Sequence, residues 1–469
     1  MAFLNRRTFL ASAGALSFAG AAAGLAGRAH ASTDQPYRAL VGIMLAGGLD
    51  HADTLLPGDR ADYDTLASHR PGIFDAHGED REFSRLLPLA ASNSGEHGGR
   101  TLALPPSLPK LHDLFRSGDL AVVSGVGPLL EPVTRADMEA GRAALPPRLH
   151  SHNDQQSTWA ALAPEGARLG WGGLFADAAL RRFPSDDSVF STVTTSGNSV
   201  FLASRTAQVF RTSDRGPSLP MILKDRPSPG EFSGIGSGEG NDRAREIMRR
   251  YFARTDIASP NLLERDSVLA HTRAIPTTRR FAEALDGAPP LDVGFPATVL
   301  GRQLQAIAQS IAVREQVGNR RQIYFASMGG FDTHSNQATS ITKLHEEIDG
   351  ALDAFARALR SLGAWNSVTT FTMSDFGRTV VGNDNGTDHG WGGHHFVMGG
   401  SVAGGRIVGD IPGMDIDGGE YTRYRGRLIP TTSVEQYAAS LGGWFGLDDA
   451  ALRESLPNLG NFDRRLGLF

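Results

Sequence analysis

Between Gln322 and Met373 an apolar strand, an amphipathic helix and a second apolar strand follow one another. Gln322 to Met328 (QIYFASM) ends in Gly329-Gly330-Phe331-Asp332, and Ser367 to Met373 (SVTTFTM) ends in Ser374-Asp375. From Thr339 to Leu362, Ile341, Leu344, Ile348, Leu352, Phe355, Leu359 and Leu362 recur at steps of three and four, the spacing of one helix face. Two buried strands joined by a helix imply a parallel pair with a right-handed crossover. The same grammar occurs early in the chain, where Arg38 to Leu45 (RALVGIML) ends in Gly47-Gly48-Leu49-Asp50. Asp119 to Val126 reads as a further strand and Leu300 to Val317 as a further helix. The pattern predicts an α/β fold with a mostly parallel central sheet flanked by helices.

Parallel strands of an open sheet deliver their loops into a crevice at their C-terminal ends. Three of these strands end near an aspartate: Asp50, Asp332 and Asp375. Histidines gather in the same region, for of the 14 in the chain, five (His334, His345, His389, His394 and His395) fall between residues 334 and 395. The sequence has no cysteine, so any metal is held by His, Asp, Glu or neutral oxygens. Imidazole with carboxylate suits Zn or Mn, and carboxylate-rich variants suit Mg or Ca. Structural alternatives stand beside each residue. Asp50 can cap the helix that follows it, and Asp375 can pair with Arg378. His394 and His395 are adjacent, an arrangement in which both seldom ligate one ion. His345 is expected on the exposed side of its helix.

The 469 residues divide into a leader and a remainder. Asn5-Arg6-Arg7-Thr8-Phe9-Leu10 places paired arginines before a soft apolar run, and Ala29-His30-Ala31 has the form of a cleavage site. Residues 1–31 thus read as a twin-arginine export signal, with the twin-arginine translocase as partner and a periplasmic or secreted destination. No other run approaches about 18 apolar residues, so no stable membrane span is expected in the mature chain. Residues 32–469 read as one domain with surface loops inserted near 68–99 and 212–241. A net charge of -5 with both signs interspersed excludes a nucleic-acid-binding class.

The segments Leu45–Pro57 (LAGGLDHADTLLP), Leu149–Trp159 (LHSHNDQQSTW), Gly329–Gln337 (GGFDTHSNQ), Ser374–Thr379 (SDFGRT) and Asn385–Gly400 (NGTDHGWGGHHFVMGG) carry a family resemblance. Together with Gly170–Gly173, Ser196–Ser204 and Ile429–Leu447, they resemble the domain-of-unknown-function family 1501 (DUF1501). The order strand-Asp, Asp-x-His, Glu-x-x-Asp (Glu346 to Asp349), strand-Ser-Asp and a later His is more remotely similar to the alkaline phosphatase and sulfatase superfamily. That likeness implies an alkaline-phosphatase-like fold and divalent metal ligands at Asp50, Asp332, His334, Asp375 and His389, with His394 or His395 as a further ligand. It also implies a hydroxyl nucleophile near the N-terminus. The sequence departs from the superfamily in carrying Phe376 after Asp375, where a histidine is usual.

Thr54, at a plausible helix start after Asp50, is a candidate nucleophile, while Ser151 and His152 could instead supply a nucleophile, an anion contact or a ligand. A guanidinium fork matches phosphate or sulfate, which makes Arg378 a candidate oxyanion contact. No Gly-x-Ser-x-Gly elbow or phosphate loop is present. The expected activity is metal-dependent hydrolysis of a phosphate, sulfate or related ester of a small molecule or polymer. A non-enzymatic binding or assembly protein stabilised by a metal is the alternative.

Overall fold

The computed structural model describes residues 36–184, 188–197, 199–214, 216, 243, 246–247, 250, 261–463 and 466–469. The leader and nearly all of 212–241 lie outside them.

Among the described residues, nine strands form the main sheet. Eight run in the order Ile407–Val408, Leu120–Gly127, Gly393–Met398, Val368–Ser374, Arg38–Leu45, Arg321–Met328, Thr192–Thr194 and Phe210–Arg211, and Thr432–Ser433 pairs with Leu120–Gly127. Arg38–Leu45 sits between Arg321–Met328 and Val368–Ser374, parallel to both. Gly393–Met398 is antiparallel to both of its neighbours. The three central strands are almost wholly buried, as expected of strands covered on both faces.

One sheet face packs on the helices Val299–Ala312 and Gln337–Ser361 through Leu304, Ile307, Ile348 and Phe355. The other packs on Trp171–Arg182 and Val434–Phe445 through Phe175, Tyr437 and Phe445. The mostly parallel sheet flanked by helices agrees with the sequence reading. A difference lies at Val313, where the helix expected to run to Val317 breaks. Among the described residues no helix is long and apolar enough to cross a membrane.

Residues 68–99, expected as a surface loop, contain structured chain: the end of the helix Arg60–His69, the helix Pro71–His77 and several short 3-10 turns. They bury Arg70 and Arg81 against the aspartates that follow the first strand. Local periodicity is blind to this, because long-range ion pairing orders the segment.

Candidate metal centre

The loops after the central strands are drawn together at Gly47 and Gly48, whose φ values of +119° and +91° favour glycine. A Cβ on Gly47 would stand 2.4 Å from the Asp332 amide nitrogen, and one on Gly48 would stand 2.6 Å from the Phe376 ring. The absence of both side chains lets the first-strand loop lie directly against the loops bearing Asp332 and Asp375.

Asp332 is the focus. Its Oδ1 lies 3.1 Å from His334 Nε2, 3.3 Å from His389 Nε2 and 3.5 Å from His152 Nε2. His334 Nε2 and His389 Nε2 are 2.9 Å apart. His152, Asp332 and His389 each offer a ligand atom within 4.8 Å of the others. The cluster opens to solvent, with Asp332 46% and His334 45% exposed in their side chains. Burial pushes the Asp332 carboxyl up, but the hydrogen bond and charge of Arg378, with His334 and His152, hold it below the ordinary range.

Two of the imidazoles have fixed tautomers. His152 Nδ1–H donates to Asp375 Oδ2 at 2.6 Å, and His389 Nδ1–H donates to the His150 carbonyl at 2.9 Å. In their neutral forms both therefore turn an Nε2 lone pair toward Asp332. His152 Nε2 is shielded from solvent without a hydrogen-bond partner. A proton or a metal cation at Nε2 relieves the repulsion between such a lone pair and the carboxylate, and the orphaned His152 Nε2 beside Asp332 and His389 is a donor set that fits a divalent metal. The backing of ligand imidazoles by a carboxylate and a carbonyl is how metal sites orient histidine. The hydrogen bond to Asp375 raises the His152 pKa against the opposing effect of burial, whereas burial lowers that of His389.

Several residues expected at the site are occupied elsewhere. Asp375, read as a direct ligand, stands behind His152 and also accepts from Gln156 Nε2 at 2.9 Å, although its Oδ1 is unpaired. Asp50 caps its helix through the Ala52 and Asp53 amides. Both Asp50 oxygens meet Arg70 at 3.0 Å, and Gln337 donates to Oδ2 at 2.7 Å. With both carboxylate oxygens so engaged, the capping alternative describes Asp50.

Thr54 is 1% exposed, and its Oγ1 is 3.0 Å from His345 Nε2. His345, expected at the surface, is fully buried, and burial lowers its pKa to about 3. His345 lies four residues after Ile341 and three before Ile348, on the buried stripe of its helix, and Thr54 and Ser107 meet its two ring nitrogens.

Arg378 is also fully engaged with protein. It donates to Thr387 Oγ1 at 2.9 Å, the Gly47 carbonyl at 2.9 Å, Asp332 Oδ1 at 3.0 Å and the Thr387 carbonyl. The guanidinium expected to clamp an oxyanion therefore positions Asp332. His394 and His395 point into the sheet's packing. His394 Nδ1 accepts from the Gly125 amide at 3.1 Å, and its ring meets buried His51 edge-on at 5.1 Å. His395 packs on Trp159 at 4.7 Å. Burial lowers the pKa of both, that of His395 to about 3.

Gln156 and His150 are supporting residues not identified from spacing. Both lie in the Leu149–Trp159 motif, whose paired histidines were the available signal. The structure thus gathers His152, Asp332, His334 and His389, with Asp375 and Arg378 behind them. Residues 259–424 match the family model DUF1501, a protein of unknown function. The DUF1501 match includes Asp332, His334, Asp375, Arg378 and His389 but ends short of His152, which reaches the cluster from upstream. No curated protein matches the sequence.

Solved structures similar to the chain include Ps i-CgsB, at 10% identity, covering 92% of this chain and 78% of that one with a TM-score of 0.33. BT1596, a 2-O GAG sulfatase, is 11% identical, with coverage of 79% and 65% and a TM-score of 0.23. A variant of alkaline phosphatase PafA is 11% identical, with coverage of 74% and 64% and a TM-score of 0.24.

Proposed function

We propose that this chain is an exported metal-dependent hydrolase of phosphate, sulfate or related esters, with one divalent ion held by His152, Asp332, His334 and His389. The observation that carries the reading is the convergence of three imidazole Nε2 atoms on Asp332 Oδ1 within 3.5 Å. Three imidazoles to one carboxylate favour Zn or another transition ion over Mg or Ca. Such an ion, when bound, polarises an ester oxygen and makes water a stronger nucleophile at neutral pH. Export rests on the paired arginines at Arg6-Arg7 and the Ala29-His30-Ala31 site.

The chain's own residues orient the centre. Asp375 and Gln156 hold the His152 ring, the His150 carbonyl holds His389, and Arg378 fixes Asp332. Among the described residues no hydroxyl hydrogen-bonds any of the four ligands. This favours water over a side-chain nucleophile such as Thr54. The half-exposed Asp332 and His334 leave an approach for substrate from solvent.

The test is hydrolysis of a panel of aryl phosphate monoesters, diesters and aryl sulfates by metal-loaded protein, with and without chelator. Turnover abolished by chelator and by Asp332→Ala supports the reading. Bound metal with no turnover across the panel favours the alternative, an exported binding protein in which the ion ties the loops.

A further inference from the structure

The helix His152–Ala161 carries more than a ligand. Gln156 and Ala160 follow His152 at four-residue steps, so one helix face runs away from the cluster. It runs into a cavity of about 450 Å³ lined by both residues and by the C-terminal ends of the Arg38–Leu45 and Arg321–Met328 strands. Gln156 belongs to both places, lining the cavity while donating to the carboxylate that holds His152.

The lining has a definite chemical character. Met44 and Phe325 give it an apolar floor, while Asn153, Gln156, Ser196 and Ser327 give it amides and hydroxyls. Ser196 Oγ is shielded from solvent and has no hydrogen-bond partner. Among the described residues the sole ionisable lining group is Glu165, and no Lys, Arg or His joins it.

We propose that this cavity is the subsite for the alcohol portion of the ester, and that it takes a neutral, polyhydroxylated group on the scale of one sugar ring. Hydroxyls donate and accept together, which matches neighbouring amides and serines, and the C–H face of a ring packs on the apolar floor. An anionic alcohol would meet a carboxylate without a compensating cation. The volume falls within the roughly 300–1,000 Å³ of small-molecule sites. Identifying the ligand as the ester's alcohol rests on the proposed hydrolase, whereas the recognition itself needs no metal.

Saturation-transfer NMR on the mature protein tests the subsite, using methyl glucoside, methyl galactoside and methyl mannoside against methyl glucuronoside, with and without metal. At least one neutral glycoside is expected to bind in both states, and the glucuronoside about tenfold more weakly. Ser327→Trp, which fills the cavity, should abolish that binding. Asn153→Arg, at an exposed position, should bring the glucuronoside to parity with the neutral glycosides.

Absence of neutral-glycoside binding, equal binding of the glucuronoside by the unaltered protein, or unchanged binding in folded Ser327→Trp would overturn the proposal. Glycoside binding without ester turnover would overturn the hydrolase reading and leave the neutral-polyol site standing. Turnover without glycoside binding would overturn the subsite alone.

Discussion

Asp375 Oδ2 accepts the Nδ1–H of His152 at 2.6 Å, so the third-strand aspartate reaches the cluster through an imidazole. The carboxylate fixes the ring's tautomer and makes Nε2 more basic. Asp375→Asn should keep the fold while lowering metal affinity by about 10–100-fold. Competition with a chromophoric chelator measures it, and an unchanged affinity would remove Asp375 from the centre.

The same hydrogen bond sets a pH dependence. Because the folded pKa of His152 is raised, its contribution to metal-free stability is fully present below about 6.5, the ordinary imidazole value. It is lost as pH rises through the folded value. Metal needs the neutral ring, so metal binding strengthens across that window. The melting-temperature difference between loaded and stripped protein should therefore widen as pH rises. A constant or narrowing difference would show that His152 does not ligate.

Asp50→Asn separates structural from ligand aspartates. Arg70 and Asp50 are a wholly buried pair, and breaking such a pair costs about 3–5 kcal/mol. Denaturant unfolding should show that loss while the folded variant retains its metal stoichiometry. Loss of metal from folded protein would return Asp50 to the ligand set.

Thr54→Val tests the nucleophile. The substitution keeps the volume and strands His345 Nε2, at a stability cost of about 1–3 kcal/mol. Turnover should stay within about tenfold of the unaltered protein, a change of roughly 1.4 kcal/mol in barrier. Complete loss of turnover in folded Thr54→Val would assign the attacking group to Thr54.

The central sheet was legible because its strands are continuous apolar runs and the helix between them has a clear period. Asp332, His334 and His389 were legible as one cluster because Asp332 and His334 follow a main-sheet strand through Gly329-Gly330 and His389 ends a short strand beside Gly390. Asp50 and Asp375 share that sequence context, but their roles depend on partners outside their own segments: Arg70 and Gln337 for Asp50, His152 and Gln156 for Asp375. His394 and His395 look like ligands by composition, yet their strand runs antiparallel through the sheet and buries both rings. Inserted segments hide their function from periodicity, as Arg70 and Arg81 in 68–99 show.

The most direct measurement is the metal-to-protein ratio of the mature chain by elemental analysis after loading and desalting, compared with the double variant His152→Ala/His389→Ala. The proposed centre implies one divalent ion per chain and none retained by the folded variant. No retained metal under any loading condition, or an equal ratio in both proteins, would contradict the assignment of His152, Asp332, His334 and His389 as a metal centre.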